Sequence, residues 1–196
     1  MPLLIALKGH PGCGKSAIAH RLGSHLKIPV IDKDDIKDLL VGYPDPGGLA
    51  YVTMFRIAHR QLLLGLPVIC DSPLSEDQGY AAARRIATET NAGLVVIECI
   101  CSSPKIWRQR IEQRGALGEP AHNIASWSDL KRHLTRRSES SRYSIDAPYL
   151  VVDTVHSLDQ VMNEVLTWIA PHVAQTYQAR GYQPEKAVLS MLKSAE

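Results

Sequence analysis

The stretch Gly9-His10-Pro11-Gly12-Cys13-Gly14-Lys15-Ser16 decides the fold of this chain. It matches the pattern G-x-x-x-x-G-K-[ST] and lies between an apolar run, 3–8, and a segment with helical periodicity, 15–27. The glycines let the backbone turn with its N–H groups pointing inward, where they can surround a phosphate. A helix that begins near Lys15 presents the positive end of its dipole to the same anion. The sequence therefore predicts a nucleotide-binding phosphate loop.

Two side chains of the loop carry separate roles in this prediction. The Lys15 ammonium can reach the β- and γ-phosphates, and the Ser16 hydroxyl can ligate Mg²⁺. The expected cofactors are therefore ATP and Mg²⁺. The predicted nucleotide-binding residues are consecutive: Gly9, His10, Pro11, Gly12, Cys13, Gly14, Lys15, Ser16 and Ala17.

Short apolar runs alternate with longer amphipathic segments along the rest of the chain. The runs predict strands at 3–8, 29–32, 67–71, 94–100 and 149–153. The segments between them predict helices at 15–27, 34–40, 49–64, 78–91, 104–114, 126–137 and 155–169, the last with a Ser157–Gln160 capping box. The strands are continuously apolar, which is typical of a parallel sheet covered by helices on both faces. The predicted fold class is therefore α/β.

Charge is unevenly distributed along the 196 residues. The 22 Lys+Arg and 20 Asp+Glu give a net charge of +2, but the segment 102–142 holds nine basic and four acidic side chains. A nucleic-acid coat protein would be basic throughout, and a disordered chain would lack the 45% apolar content. The predicted organisation is one domain over 1–170, in which 102–142 forms a cationic lid, followed by a helical extension over 171–196.

The cysteines and the apolar runs bear on the compartment. Three of Cys13, Cys70, Cys99 and Cys101 lie in or beside predicted strands, and Cys99-x-Cys101 lacks a second pair of zinc ligands, so buried free thiols are favoured. No run reaches the length of a membrane span, and no signal peptide is visible. The prediction is a protein of a reducing compartment, without a membrane partner. The cytoplasm is favoured, and the nucleus and an organelle stroma are the alternatives.

Several classes of phosphate-loop protein lack support in the sequence. There is no N/T-K-x-D guanine motif of a GTPase and no LSGGQ signature of an ABC ATPase. The chain is too short for the second helical domain of an AAA+ machine, and the apolar strand that ends at Asp71 continues with Ser72 instead of the Glu of a motor ATPase. The small phosphotransferases remain.

Acidic residues follow two of the predicted strands. Asp32, Asp34 and Asp35 come at the end of the second strand, and Asp71 ends the third, so all four approach the nucleotide crevice. Asp34 is the preferred general base for an acceptor hydroxyl. Asp32 can equally be the N-cap of the following helix, and Asp35 can be an acidic residue of its first turn that the helix dipole stabilises. Asp71 is expected to hold a water of the Mg²⁺ shell or to bind the acceptor, and an N-cap or turn role is its alternative.

The cationic segment offers arginines for charge neutralisation. Arg110 and Arg114 are four residues apart and share a helix face, where they could stabilise a migrating phosphoryl group. A solvated face paired with Glu112 is the alternative. Arg136 could complete the lid or clamp an anionic acceptor. Trp107 and Trp127 could stack on adenine, although core packing is favoured.

The loop, the Lys33-Asp34-Asp35-Ile36-Lys37 stretch, the strand ending at Asp71 and Arg110-x-x-x-Arg114 together resemble one group of proteins. They are similar to the small P-loop kinases that include polynucleotide kinase, zeta-toxin and chloramphenicol phosphotransferase. The resemblance covers about residues 3–154 and implies a five-stranded parallel sheet of order 2-3-1-4-5 that works with ATP and Mg²⁺. It assigns the general base to Asp34 and puts Lys37 at the position of an acceptor-binding Arg.

Three functions follow as hypotheses. The leading one is transfer of the γ-phosphoryl group of ATP to a hydroxyl of a small molecule, with Asp34, Lys37, Asp71 and Arg136 as acceptor-binding candidates. The second is a polynucleotide 5′-hydroxyl or nucleoside/nucleotide kinase, which the low aromatic content of 6% disfavours. The third is a nucleotide-gated binding protein with slow ATPase activity. The identity of the acceptor and the oligomeric state are not predicted.

Overall fold

The computed structural model describes residues 1–117, 124–137 and 142–178. The strands are β1 (Leu3–Lys8), β2 (Val30–Asp32), β3 (Val68–Asp71), β4 (Gly93–Ile100) and β5 (Tyr149–Asp153). The helices are α1 (Lys15–Leu26), α2 (Lys33–Asp38), α3 (Pro46–Leu63), α4 (Asp77–Glu89), α5 (Pro104–Leu117), α6 (Trp127–Arg137) and α7 (Leu158–Gln178).

The strands form one parallel sheet of order β2-β3-β1-β4-β5, so the α/β class and the implied order are confirmed. All six residues of β1 are buried because both faces of the sheet are covered. Leu3, Ile5 and Leu7 pack with α1 and α7, whereas Leu4 and Ala6 pack with α3 and α4. This three-layer arrangement explains why the central strands are apolar at every position.

Two helices begin at positions that differ from those predicted by the periodicity, because local hydrogen bonds determine where they start. Helix α3 begins at Pro46, three residues before the predicted start, because the Asp45 carboxylate accepts a hydrogen bond from the Gly48 N–H (3.0 Å). Helix α7 begins at Leu158 and not at Val155, since the Val155 N–H binds the Asp153 carboxylate in a turn (3.2 Å). The predicted capping box at its start is confirmed by reciprocal hydrogen bonds between Ser157 and Gln160.

The segment predicted as a lid contains α5 and α6, and its residues 118–123 and 138–141 lie outside the described part of the chain. Helix α7 continues without a break past the predicted domain limit at residue 170, with Pro171 inside it. Residues 179–196 of the predicted extension also lie outside the described residues. No described helix is long and apolar enough to cross a membrane.

Candidate active site

The phosphate loop connects β1 to α1 in a conformation that depends on glycine. Gly9 has φ +139°, and a Cβ placed there would lie 2.3 Å from the carbonyl oxygen of Cys99. Gly14 caps α1 in the left-handed region, with φ +77°. The motif therefore specifies both a backbone path and a close approach to β4 that other residues would obstruct.

The side chains of the loop divide between its two sides. The Lys15 ammonium donates a hydrogen bond to the His10 carbonyl (3.0 Å), and Lys15, Ser16 and Ala17 line a cleft of about 1680 Å³. Cys13 is buried under the loop, and burial raises the pKa of its thiol to about 11, so the thiol stays protonated. Burial, with Lys8 as the next contributor, lowers the pKa of His10 to about 4, so this imidazole is neutral at pH 7.

The sheet brings two carboxylates side by side in the lining of the cleft. Asp32 and Asp71 are register partners at the ends of β2 and β3. Asp71 is buried, and its Oδ2 atom has no hydrogen-bond partner among the described residues. Burial and, next, the charge of Asp71 raise the pKa of Asp32 to about 6. Asp32 also caps α2 by accepting the Asp34 N–H (2.7 Å), which confirms the capping interpretation.

Asp34 is oriented by a neighbouring lysine that the sequence analysis did not single out. The Lys33 ammonium donates to Asp34 Oδ1 (2.5 Å), and its side chain is only 8% exposed. The same ammonium lies 5.6 Å from the centroid of the Tyr51 ring. A lysine that follows an apolar strand and precedes the candidate base was the available signal, but its burial depends on α3.

The cleft brings most of the predicted site residues together. Its walls include Lys15, Ser16, Asp34, Lys37, Asp71, Arg110 and Arg114. Arg136 is exposed on α6 and does not line the cleft. Gly9, His10 and Cys13 also lie away from its surface, and His10 faces a smaller cavity of about 340 Å³ with Lys8 and Glu98.

Arg110 differs in its surroundings from its neighbour Arg108. The Arg110 guanidinium donates to the hydroxyl and the carbonyl of Thr154, at 2.8 and 2.6 Å. Arg108 instead makes an exposed ion pair with Glu112 (2.7 Å), as the solvated-face alternative expects. Arg110 is therefore held at the end of β5, beside the phosphate loop, where Thr154 also lies 3.4 Å from the position of a Cβ on Gly14.

Trp107 contacts both the phosphate loop and the hydrophobic core. Its indole N–H donates to the Pro11 carbonyl (2.7 Å), and its ring packs against the core on the α1 side of the sheet. Trp127 makes an edge contact with it, the ring centroids being 5.9 Å apart. The favoured interpretation, core packing, is confirmed for Trp107. All four cysteines are buried and free, also as expected.

A phosphate loop at the start of the first helix of a 2-3-1-4-5 parallel sheet defines a P-loop protein with the kinase-type fold. Residues 4–137, about two thirds of the chain, match the model of the AAA_33 family, which is described as an AAA domain. The chain belongs to this family. The suspected group of small P-loop kinases is thereby confirmed.

The chain is also similar to a curated protein and to solved structures. The chain is 27% identical over 139 residues to an uncharacterized protein of Mycobacterium tuberculosis, a match that covers 63% of this chain but only 28% of that protein. It is 27% identical to a "putative kinase" of Chloroflexus aurantiacus, with a TM-score of 0.71 and coverage of 87% of this chain and 98% of that one. A gluconokinase of Sinorhizobium meliloti shares the fold at 17% identity, with a TM-score of 0.61 and coverage of 91% and 97%.

Proposed function

We propose that this protein is an ATP-dependent phosphotransferase that moves the γ-phosphoryl group of ATP to a hydroxyl of a small-molecule acceptor. One observation carries the proposal: the phosphate loop and the carboxylates of Asp34 and Asp71 line one cleft. A site of this kind combines phosphate binding with a group that can accept a proton, which phosphoryl transfer to a hydroxyl needs.

The nucleotide is assigned to the stretch 9–17. The loop backbone and the N-terminal end of α1 would bind the phosphates, and Lys15 would exchange its hydrogen bond with the His10 carbonyl for one with the triphosphate. That exchange is a short movement of a flexible side chain. It leaves the backbone of the loop in place.

The residues at the end of β3, together with Ser16, fit a divalent cation. Among the described residues, the buried Oδ2 atom of Asp71 and the buried hydroxyl of Ser72 have no hydrogen-bond partner, and Ser16 lines the same cleft. Carboxylate and hydroxyl oxygens are the ligands that Mg²⁺ prefers. We assign Mg²⁺ to Ser16 and Asp71; when bound, it would neutralise charge on the phosphates.

Asp34 is the proposed general base. As the acceptor oxygen forms its bond to the γ-phosphorus, the bond from that phosphorus to the β-γ bridging oxygen breaks, and the hydroxyl proton passes to the Asp34 carboxylate. The Lys33 ammonium fixes the orientation of Asp34 through their charged hydrogen bond. Arg110 and Arg114 would neutralise charge on the migrating group, and Arg110 would have to exchange at least one bond to Thr154 for a phosphate oxygen.

The charge of the acceptor side supports a small molecule over a polynucleotide. The side chains of α2, α3, α4 and their N-caps that line the cleft define this side, and carboxylates outnumber cations among them. The carboxylates are Asp32, Asp34, Asp35, Asp38, Asp45, Glu76 and Glu89, and the cations are Lys33, Lys37, Arg56 and Arg85. A polyanion would meet net repulsion here, whereas a neutral hydroxyl compound would not. Lys37 lines the cleft within reach of an acceptor, and Arg136 would act only from the exposed face of α6.

A cytoplasmic location belongs to the same proposal, because the four thiols are free.

The test is a mass-spectrometric screen of hydroxyl compounds incubated with γ-labelled ATP and the protein. We expect a phosphorylated product from a neutral acceptor, and a loss of turnover of about 100-fold or more in Asp34→Asn. Asp35→Asn is the matched control, since Asp35 is an exposed carboxylate on the same helix turn, and it should stay within about threefold of the parent.

Three outcomes would contradict the proposal. Full acceptor-dependent turnover by Asp34→Asn would remove the base assignment. Labelling only of 5′-hydroxyl oligonucleotides, with strong salt dependence, would favour the polynucleotide kinase. Tight ATP binding without transfer to any acceptor would favour the nucleotide-gated binding protein.

A further inference from the structure

The loop between β3 and α4 contains a backbone conformation that its own residue does not favour. Leu74 has φ +43°, in the left-handed region, although it is not a glycine. Its side chain is fully buried in the core beside α3 and α4. A branched residue keeps such a backbone only when its surroundings hold it there.

Two tyrosine hydroxyls bind both polar backbone groups of Leu74. The Leu74 N–H donates to the Tyr51 hydroxyl oxygen (3.1 Å), and the Tyr143 hydroxyl donates to the Leu74 carbonyl. Burial raises the pKa of Tyr143, so its hydroxyl keeps the proton that it donates. Tyr51 comes from α3 and Tyr143 from the segment 142–148, so this pair of contacts, named here the Leu74 clamp, joins three separate parts of the chain.

The segment that carries Tyr143 is itself fixed. Tyr80 of α4 stacks against the Tyr143 ring, with centroids 5.8 Å apart. The Tyr80 hydroxyl donates to the Asp146 carboxylate (2.5 Å) and accepts the N–H groups of Asp146 (3.1 Å) and Ala147 (3.0 Å). Tyr143 therefore approaches Leu74 from a position that α4 determines.

The turn at Leu74 sets the direction of the residues that precede it, and those residues touch the nucleotide site. The carbonyl of Pro73 accepts the N–H of Gly9, the first residue of the phosphate loop (3.0 Å). Ser72 is buried and lines the cleft, and its hydroxyl has no hydrogen-bond partner in the part of the chain that the structure describes. Leu74 is thus two residues or fewer from a side chain that lines the cleft and from a backbone group that binds the phosphate loop.

We propose that Tyr51 and Tyr143 are positioning residues: the Leu74 clamp holds the Ser72–Pro73 segment against Gly9, and so connects the segment 142–148 to the phosphate loop. The proposal rests on the proposed function only in that the loop binds a nucleotide. Neither tyrosine is required to touch the nucleotide or the acceptor. A purely structural role would lower stability and leave the loop as it is.

The test removes one hydroxyl at a time with Tyr51→Phe and Tyr143→Phe, which retain the rings. Tyr43→Phe is the matched control, because Tyr43 is exposed in the turn between α2 and α3. Three quantities are measured: amide hydrogen exchange at Gly9 and Ile18 by NMR, the Kd of ATP with Mg²⁺, and the thermal midpoint. The Gly9 amide reports the bond to Pro73, and the Ile18 amide reports α1.

We expect each clamp variant to raise the exchange rate of Gly9 and the Kd of ATP about fivefold, without a comparable change at Ile18. The double variant should differ from the more affected single variant by less than about twofold, since both hydroxyls act through the same peptide unit. Tyr43→Phe should change none of these quantities.

Two results would overturn the proposal: unchanged exchange at Gly9 in both variants, or a lowered midpoint with exchange raised equally at Gly9 and Ile18. If one variant fails to fold, the other decides. If the parent protein binds no nucleotide, the proposed function fails, while exchange at Gly9 still decides whether the clamp acts on the loop.

Discussion

Two parts of the proposed active site use different chemical groups: one uses the backbone and the other uses side-chain carboxylates. The phosphate loop uses backbone groups of consecutive residues, and its shape depends on glycines at Gly9 and Gly14. The carboxylate edge, defined as Asp32, Asp34 and Asp71, uses side chains that follow two strands separated by more than 30 residues. Substitutions in the loop should therefore act by distorting its backbone, whereas substitutions at the carboxylate edge should act by changing its charge.

The largest expected effect tests the backbone part. Gly9→Ala would put a Cβ 2.3 Å from a backbone oxygen at a φ that L residues rarely adopt. We expect it to lower the free energy of unfolding by about 4 kcal/mol and the thermal midpoint by about 8–16 °C. Gly42→Ala is the control: its φ is also positive, +91°, but an added Cβ meets nothing within 4 Å, so the cost should be about 1 kcal/mol. Equal losses in the two variants would show that close approach to Cys99 is unimportant.

The next effect separates charge from fold within the same loop. Lys15→Met should reduce ATP-dependent turnover about 100-fold or more, because it removes the cation assigned to the triphosphate. It should change the thermal midpoint by less than about 3 °C, since Lys15 bonds only its own loop's His10 carbonyl among the contacts described. Lys105→Met, at an exposed position on α5, should leave both quantities unchanged. Turnover retained in Lys15→Met would exclude the assigned role.

A smaller effect compares two arginines of α5. Arg110→Ala should cost about 2 kcal/mol of stability, since it removes two charged hydrogen bonds to Thr154 near the loop. Arg108→Ala should cost at most about 0.5 kcal/mol, because its ion pair with Glu112 is exposed. Urea unfolding of both variants measures the difference. A larger loss of stability in Arg108→Ala than in Arg110→Ala would show that the structural role assigned to Arg110 is wrong.

The smallest effect concerns the carboxylate edge and its pH dependence. The pKa of Asp32 is raised in the folded state to about 6, so the native carboxyl holds its proton more tightly than the unfolded one. Stability should therefore fall as pH rises from about 4 to about 6, and the ionised Asp32 is a net cost at pH 7. Asp32→Asn keeps an oxygen that can cap α2 and removes the charge. Allowing for partial exposure, we expect a gain of about 1 kcal/mol at pH 7, or about 2–4 °C.

This last prediction is checked by metal-free thermal unfolding at several pH values. The advantage of Asp32→Asn should disappear below about pH 4, where the parent carboxyl is protonated in both states. Asp35→Asn, which alters an exposed carboxylate on the same helix, should show no such gain. A variant that is less stable than the parent at pH 7 would contradict the raised pKa of Asp32, which burial and then the charge of Asp71 cause.

Much of the fold was predictable because its signals are local. The five strands and seven helices of the described residues lie where the apolar runs and the helical periodicity predict them, apart from shifts at their ends. Those shifts have local causes that periodicity does not register, such as the Asp45 cap at α3 and the Asp153 turn before α7. The site was predicted less completely, since the sequence pattern indicates neither the contact of Lys33 with Asp34 nor the pairing of Asp32 with Asp71.

By itself the sequence determined the phosphate loop and the alternation of strands and helices, because both depend on residues that are adjacent or a few positions apart. Only the tertiary structure decided which side chains meet. The pairing of Asp32 with Asp71 depends on the register of β2 with β3, the burial of Lys33 depends on α3, and the bond from Tyr143 to Leu74 spans 69 positions. Such contacts follow from the order of the sheet and the packing of its layers, which no local pattern specifies.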